Sequence, residues 1–510
     1  MKNYCILALS FTLVALCSLH KTAAQTVNTY QPQFGIFENQ VNIGDPAMDG
    51  NVAYDTKAQQ YTITGSGTNI WGQKDEFQYL YQSIQGDFIL RARVKFLGEN
   101  GDPHRKIGWS IRDNLNGDTK HVSAAIHADG LTSLQYRKET GGNTEEFKST
   151  DSLPDVIQLE RRGDTYYMAT AKWGEPLTTV EIGNIGLRNE VFVGLFVCAH
   201  DASATAKAVF QNVRIIKPMP EDGVPYQDYL GSRVEIMDVD SGQRKILFQS
   251  AHSLQAPNWV NDDKELVYNS NGFLYRYTFD TNTVHQVETG FATHNNNDHV
   301  FSFDEKLLGI SNHNPEDKGN SSIYLMDSKG DSLPRKITKD GVGNSYLHSI
   351  SPDKETLLFT GFRNDKFDIH SINVNTQKET QLTDTEGLDD GSEYAPDGKS
   401  IYFNSNRTGA MQLWRMDADG GNPEQLTFDK NYNDWFPHIS PDRKWIAFIS
   451  FSKDVPSDDH PFYKQCTLRL MPVSGGEPKI IAYIYGGQGT INVPSWSSDS
   501  KHIAFVTNSD

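Results

Sequence analysis

Three histidines and one glutamate occupy equivalent places in a pattern that repeats along the second half of this chain. His299, His348, Glu393 and His438 each lie four or five residues before a recurring aspartate. Most other copies hold proline or a small uncharged residue at these positions. Histidine and carboxylate side chains together can form a hydrogen-bonded pair, bind a divalent metal ion or transfer a proton. These departures from the repeat are therefore the first candidates for a functional site.

The repeat itself predicts the elements that position these side chains. Each copy places an aspartate in a tight turn before a strand of alternating apolar residues, most clearly at Asp353 and Asp442. The successive aspartates are 42, 49, 44, 45 and 57 residues apart, at Asp262, Asp304, Asp353, Asp397, Asp442 and Asp499. This spacing is typical of the blades of a β-propeller, with one four-stranded sheet per repeat. The last copy is cut short, so residues 234–238 and 244–247 are predicted to complete it and close a six-bladed ring.

Residues 230–510 resemble the TolB-like six-bladed propellers with WD40-like repeats. The copy that runs from 394 to 427 carries the resemblance best, with its Pro-Asp-Gly turn and its later Asn-Arg-Thr-Gly turn. In that family the residues just before the turn belong to the innermost strand, beside the central channel. The resemblance therefore implies that the histidines and Glu393 lie near the propeller axis, and that the domain is an interaction platform, as TolB is.

Strand alternation predicts which of these side chains meet. Neighbouring residues of a strand face opposite sides of its sheet, so one column of side chains should touch the other column of the next blade. Pairing His299 with Ser349, His348 with Glu393 and Ser392 with His438 satisfies every polar group. The opposite sense leaves three polar groups against apolar partners, at about 1–3 kcal/mol each if buried. We therefore predict a polar arc built around a His348–Glu393 pair.

The loops that lead into these strands widen the candidate site. The predicted binding residues of this propeller mouth are His299, His348, Glu393, His438, Asp298, Asn433, Asp434 and Trp435. Such a mixture suits a sugar, a metal ion or both. A divalent cation at the axis would be held by His348, Glu393 and His438. Three interpretations stay open: side chains that only satisfy one another, glycan or peptide binding without catalysis, and a metal or acid–base site. No catalytic residue is assigned.

Residues 25–217 are predicted to form a jelly-roll-like β-sandwich. Residues 88–96 alternate apolar or small residues with arginine and lysine, and 191–197 form a nearly continuous apolar run. The motifs at 45–67, 86–88, 106–113 and 194–215 resemble the concanavalin A/laminin G-like sandwiches, which are often appended to secreted carbohydrate-processing proteins. A sugar-stacking surface and core packing both stay open for Trp71, Trp109, Arg112 and Tyr136. A proline-containing linker is predicted over 218–229.

The N-terminus and the charge limit where the protein acts. Residues 1–24 have a lysine, an apolar stretch too short to span a membrane, and a small-residue cleavage site, as in an export signal. The chain has a net charge of −18, which becomes −20 if Lys2 and Lys21 are removed with this segment. Such acidity disfavours nucleic acids and anionic membranes as partners. Cys198 and Cys466 fall in different predicted domains and are expected to be buried thiols.

These observations predict an all-β, exported recognition protein, periplasmic or secreted and monomeric, whose partner is a glycan or an envelope protein. No membrane insertion of the mature chain is expected. The alternatives are a metal- or His/Glu-dependent polysaccharide lyase or glycosidase at the propeller axis, and a TolB-like protein scaffold. The identity of the ligand is not encoded in any motif of the sequence.

Overall fold

A computed structural model describes residues 33–224, 227–330 and 332–509, and the backbone of residues 25–26. The export signal predicted at 1–24 lies outside these residues. Within them the regular structure is β-strand apart from one short 3₁₀-helix, Pro315–Asp317. In the part of the chain so described, no helix is both long and apolar enough to cross a lipid bilayer.

The N-terminal half folds into two seven-stranded antiparallel sheets. The first sheet has the order Glu145–Lys148, Thr132–Arg137, His121–His127, Lys106–Arg112, Glu190–Cys198, Phe77–Gln85 and Asn39–Ile43. The second has the order Thr178–Gly183, Thr165–Ala171, Val156–Arg162, Phe88–Leu97, Asp201–Ile216, Gln60–Gly67 and Asn51–Asp55. A small hairpin joins Ile70–Trp71 to Lys74–Asp75.

One hydrophobic core lies between these two sheets. Phe88, Leu90, Ala92 and Val94 enter it from the strand Phe88–Leu97, because alternate residues of a strand share one face. The predicted alternation of this strand is confirmed. Its opposite face is covered in part by the second domain, so Arg91 is also buried.

The C-terminal half is a six-bladed β-propeller. Blades 1 to 5 are four-stranded antiparallel sheets, and the backbone of Gln25–Thr26 adds a short strand beside blade 1. Their strands are, in order, Gln255–Val260, Glu265–Ser270, Phe273–Thr278 and Thr283–Gln286; Asn295–Phe301, Leu307–His313, Ser321–Asp327 and Arg335–Lys336; Ser345–Ile350, Thr356–Arg363, Lys366–Asn373 and Glu379–Gln381; Asp389–Tyr394, Ser400–Ser405, Gln412–Asp417 and Glu424–Gln425; and Tyr432–Ile439, Trp445–Ser452, Lys464–Pro472 and Lys479–Gly486.

Blade 6 closes the ring as the sequence predicts. Its strand His502–Asn508 pairs with Ser232–Asp238, which pairs in turn with Arg244–Ser250. Its innermost strand is reduced to one bridge between Trp496 and Ile503. Joining the two ends of the domain in one sheet closes the ring.

The recurring aspartate is explained by its turn. Asp353 accepts a hydrogen bond from the Ser351 hydroxyl at 2.6 Å and another from the Glu355 amide at 3.0 Å. Asp442 makes the same contacts with Ser440 and Lys444. This turn is therefore a local hydrogen-bonded staple, and it recurs for structural reasons.

The two halves are joined by buried polar contacts. The Glu235 carboxylate of blade 6 lies 2.6 Å from Arg214 of the sandwich and 2.9 Å from Arg244, and Thr507 also donates to it. Burial by itself would raise the pKa of Glu235, but the two guanidinium groups hold it well below its usual range. Gln465 of blade 5 contacts Gln158 of the facing sheet at 3.0 Å.

Candidate functional site

The inner strands of blades 1 to 5 all contain an irregularity close to the positions predicted to carry function. The register shifts between Asn295 and His299 in blade 2, and again between Leu347 and Ser349, which brackets His348 in blade 3. The same occurs before Asn258, Glu393 and His438. A bulge inserts an extra residue and breaks strict alternation.

The predicted His348–Glu393 pair is wrong because of these bulges. Glu393 instead contacts His438, with 2.6 Å between Oε2 and Nδ1, and its Oε1 accepts a hydrogen bond from the Ile439 amide. His348 faces Asp390, with 3.0 Å between Nε2 and Oδ1. The bulge between Asp390 and Glu393 turns the expected partner away and presents a different carboxylate to His348.

The Glu393–His438 pair acts as a connection between blades. The other ring nitrogen of His438 contacts the carbonyl of Ile491, and the His438 carbonyl accepts a hydrogen bond from Trp496 at 3.0 Å. Both side chains are buried and are satisfied by groups of neighbouring blades. The interpretation that they satisfy one another therefore describes this pair.

Four other predicted mouth residues also lie inside the scaffold. His299 is fully buried, and burial lowers its pKa to about 4. Asn433 accepts a hydrogen bond from the Met411 amide and donates to Val455. Asp434 accepts a hydrogen bond from Ser450 and lies 3.3 Å from Arg469. Trp435 is fully buried.

The open space of the propeller is an axial cavity of about 620 Å³. It is lined mainly by amides and aromatic rings from several blades. Its principal side chains are Gln255, Asn269, Asn271, Asn295, Asn296, Asn297, Asp298, Tyr346, His348, Phe367, Asp390, Phe436, His460, Phe462, Gln488 and Asn492. Of the eight predicted mouth residues, only Asp298 and His348 line it.

A small charged cluster lies in this cavity. Burial lowers the pKa of His348, but the hydrogen bond and charge of Asp390 raise it above its ordinary value. Burial raises the pKa of Asp390, and His348 brings it down to about 2. Burial raises the pKa of Asp298 to about 7, since the His348 charge offsets it only in part. The cluster therefore combines a hydrogen-bonded His348–Asp390 pair with a carboxyl group whose pKa is raised to about 7.

The long connection between the second and third strands of blade 5 contributes to the same cavity. Asp458, His460 and Phe462 of this segment line it. The His460 ring lies edge-on against Trp435, with 4.5 Å between centroids, and 3.8 Å separates its Nε2 from Asp390. The unusual 57-residue interval in the repeat was the sequence signal for this segment.

None of the amides that line the cavity is among the eight predicted mouth residues. Asn295, Asn296 and Asn297 stand in a row at the start of the inner strand of blade 2. Three consecutive amides are the signal that could have identified them. No comparable sequence pattern identifies Gln255, Asn269 or Asn271.

The predicted stacking surface of the sandwich is not assembled. Trp109 and Arg112 are fully buried, and Arg112 forms an ion pair with Asp75 at 2.9 Å. Tyr136 is buried and donates to Glu145. Only Trp71 is exposed, at 42% of its surface. Core packing therefore accounts for Trp109, and a buried ion pair accounts for Arg112.

The predicted metal ligands do not converge. Within the described residues, His348, Glu393 and His438 do not form a group of nearby ligand atoms. Cys198 and Cys466 are both free and buried, as predicted, and burial raises their pKa values to about 11 and about 12.

Comparisons with known proteins concern about half of the chain. A family model described as a TolB beta propeller domain matches residues 335–459. An uncharacterised protein of Agrobacterium fabrum is 42% identical over 276 residues, covering 54% of this chain and 92% of the relative. The solved structure of a candidate TolB from Agrobacterium tumefaciens has 40% identity and a TM-score of 0.52, covering 56% of this chain and 100% of its own. The Tol-Pal system protein TolB of Francisella tularensis is 27% identical over 285 residues, covering 54% of this chain and 61% of the relative.

Proposed function

The chain belongs to the TolB-like β-propeller family, and on that premise we propose that it is a recognition protein that binds a carbohydrate in its axial cavity. The supporting observation is a set of unsatisfied polar atoms. Asn295 Oδ1, His348 Nδ1 and His460 Nδ1 are buried and have no hydrogen-bond partner among the described residues. All three residues line the cavity. An unmatched buried polar atom costs about 1–3 kcal/mol, which a ligand hydroxyl or a water molecule would offset.

The chemistry of the lining favours a polyhydroxylated ligand. Asn295 is held by bonds from its Nδ2 to the Gly272 and Ala292 carbonyls, which leaves its oxygen free to accept. Asn269 is likewise fixed by bonds to the Asn295 and Asn296 carbonyls. Fixed amides of this kind match sugar hydroxyls, and Phe367, Phe436 and Phe462 supply apolar surface for a sugar ring.

We include the N-terminal domain and the cellular location in this proposal. The paired seven-stranded sheets are proposed to be a concanavalin A/laminin G-like sandwich over residues 25–217, joined by the linker at 218–229 to the propeller. The protein is proposed to be exported by the segment at 1–24 and to act as a monomer in the periplasm or beyond.

Calorimetric titration of the full chain with neutral and acidic oligosaccharides tests carbohydrate binding. Asn271 has a backbone φ of +50°, so Asn271→Gly removes a lining amide without strain. Loss of about 1 kcal/mol for that hydrogen bond weakens binding about fivefold. Phe367→Ala should weaken it about tenfold if a ring stacks there. The exposed Phe303, which is outside the cavity lining, gives the control Phe303→Ala. Lack of binding to every oligosaccharide, or equal loss in the control, contradicts the proposal.

The relatives favour a second candidate, a scaffold that binds an envelope protein. One of them is named as a component of the Tol-Pal system. This function predicts no oligosaccharide affinity in either domain and retention of a defined envelope protein by the full chain. Phe367→Ala should reduce that retention if the protein partner uses the cavity, whereas Phe303→Ala should leave it unchanged.

The difference between the pKa values of Asp298 and Asp390 favours a third candidate function, acid–base catalysis on a bound glycan. Asp298 and Asp390 line one cavity but titrate far apart, which is a common arrangement for an acid and a base. A lyase or glycosidase would then use Asp298 with the His348–Asp390 pair. Incubation with the oligosaccharides, followed for unsaturated or reducing ends, tests this directly. Product that persists in Asp298→Asn contradicts a role for that carboxyl group.

A further inference from the structure

Two histidines and an aspartate come together at one end of the first sandwich sheet, far along the chain from the propeller residues. His104 precedes the strand Lys106–Arg112, His127 ends the strand His121–His127, and Asp129 lies in the turn that follows. Each offers one ligand atom, and these atoms all lie within 4.8 Å of one another. The Nδ1 atom of His104 is 3.1 Å from Oδ2 of Asp129.

The backbone holds the two segments of this cluster in place. The Asp129 amide donates to the Pro103 carbonyl at 2.8 Å, and the Ala128 amide donates to Arg105 at 3.1 Å. The His104 amide donates to the Asp102 carboxylate at 2.7 Å. These bonds fix the backbone of the two segments that carry the three side chains, which lowers the entropy cost of binding.

The buried member of the cluster has an unused ring nitrogen. His127 is 4% exposed, and its Nδ1 has no hydrogen-bond partner among the described residues. Its Nε2 lies 3.4 Å from the Gln135 amide, which can present either its oxygen or its nitrogen to the ring. A buried imidazole held at one nitrogen and free at the other is suited to metal ligation.

The other two side chains open the cluster to solvent. The side chains of His104 and Asp129 are 52% and 31% exposed. A fourth side chain, His200, has its ring 5.4 Å from that of His104 and lies 3.3 Å from Asp102. A cation could therefore enter from solvent and keep a coordination position for water or another oxygen ligand.

We propose that His104, His127 and Asp129 form a zinc site on the sandwich domain, with at least one coordination position open. Two imidazoles and one carboxylate are the ligand set that Zn²⁺ accepts with an open fourth position, whereas Ca²⁺ and Mg²⁺ prefer oxygen ligands alone. The positive charge of Lys106 opposes cation binding electrostatically. Its ammonium group is held by a hydrogen bond to the Ile70 carbonyl at 3.0 Å. The proposal is independent of carbohydrate binding by the propeller.

Titration of the metal-free full chain with Zn²⁺ by calorimetry tests the site. One zinc ion should bind, and His104→Gln and Asp129→Asn should each weaken it by at least about tenfold. Both residues are partly exposed, so these variants should fold. The exposed His252, which is outside the cluster, provides the control His252→Gln, which should bind zinc as the unaltered chain does.

Absorption spectroscopy with Co²⁺ provides a second measurement of the same site. Co²⁺ in place of Zn²⁺ should produce the visible absorption of a four-coordinate ion, and the band should disappear in the His104→Gln, Asp129→Asn double variant. Absence of zinc binding in the unaltered chain overturns the proposal. So does binding that is unchanged in the double variant, which would assign the ion to another group of histidines.

Discussion

Two groups of charged side chains are buried in this protein. The Glu235 cluster lies between the domains, and the Asp298 cluster, with His348 and Asp390, lies in the propeller cavity. The protein satisfies their hydrogen-bonding and ion-pairing groups to different degrees. Glu235 faces two arginines and a threonine hydroxyl. In the cavity, Asp390 contacts His348 and accepts hydrogen bonds from Thr360 and Gly391, whereas burial keeps the pKa of Asp298 raised. The Glu235 carboxylate is saturated by protein, whereas Asp298 in the cavity has no ion-pair partner among the described residues. Two buried charged groups of one chain therefore differ in how far the protein satisfies them.

The largest expected effect comes from breaking the saturated cluster. Glu235→Gln leaves Arg214 and Arg244 buried without a counter-charge, and removal of one partner of such a group costs about 3–5 kcal/mol. Urea unfolding should show this loss of stability. The exposed pair Arg415–Glu424 supplies a matched control, because Glu424→Gln should change the free energy of unfolding by less than about 1 kcal/mol.

Acid should weaken the same cluster in the unaltered protein. The pKa of Glu235 is depressed in the folded state, so its contribution is fully present above the unfolded value of 4.5 and is lost as pH falls below that value. The free energy of unfolding, measured from pH 6 to pH 3, should fall less steeply with acid in Glu235→Gln than in the unaltered protein. An unchanged profile would mean that the two arginines do not stabilise this carboxylate.

The second expected effect is a pH dependence of stability that has the opposite sign and comes from Asp298 in the cavity. The pKa of Asp298 is raised to about 7, so the folded state holds a proton that the unfolded state releases above pH 3.8. Its contribution to stability is therefore lost as pH rises from about 4 to 7, by up to about 4 kcal/mol. Asp298→Asn should be more stable than the unaltered protein at pH 8 and close to it at pH 4. Asp365→Asn, in an exposed turn, should show no such dependence.

The smallest expected effect comes from the repeated aspartate turns. Their hydrogen bonds are formed within the turn, but the aspartates are exposed to solvent. Ser351→Ala removes the hydroxyl that donates to Asp353 and accepts from the Thr356 amide, at a cost of about 1 kcal/mol. Blade 4 already has Ala395 at the equivalent place, so Ala395→Ser should restore the bond to Asp397 and stabilise by a similar amount. Thermal unfolding of both variants measures the two changes. Equal effects of the same sign would contradict this explanation of the repeat.

The fold could be predicted because its signals are local. The aspartate turns recur between the first and second strands of the blades, and the turn at Asp353 depends on contacts within five residues of Ser351. The closure by 234–238 followed from counting strands, since the last copy was two strands short. The candidate site could be predicted only in part: Asp298 and His348 line the cavity, but Glu393, His438, Asn433, Asp434 and Trp435 support the blades. A bulge moves a side chain to another face without any residue type that announces it.

The sequence by itself determined the six-bladed ring and its closure, because these depend on repeat length and alternating strands. The tertiary structure decided which carboxylate meets His348, and it brought the amides of several blades into one cavity. It also brought His104, His127 and Asp129 together on the sandwich. The physical reason is that such contacts depend on bulges, on left-handed residues such as Phe436 with φ of +55°, and on packing between distant segments. None of these leaves a periodic trace in the chain.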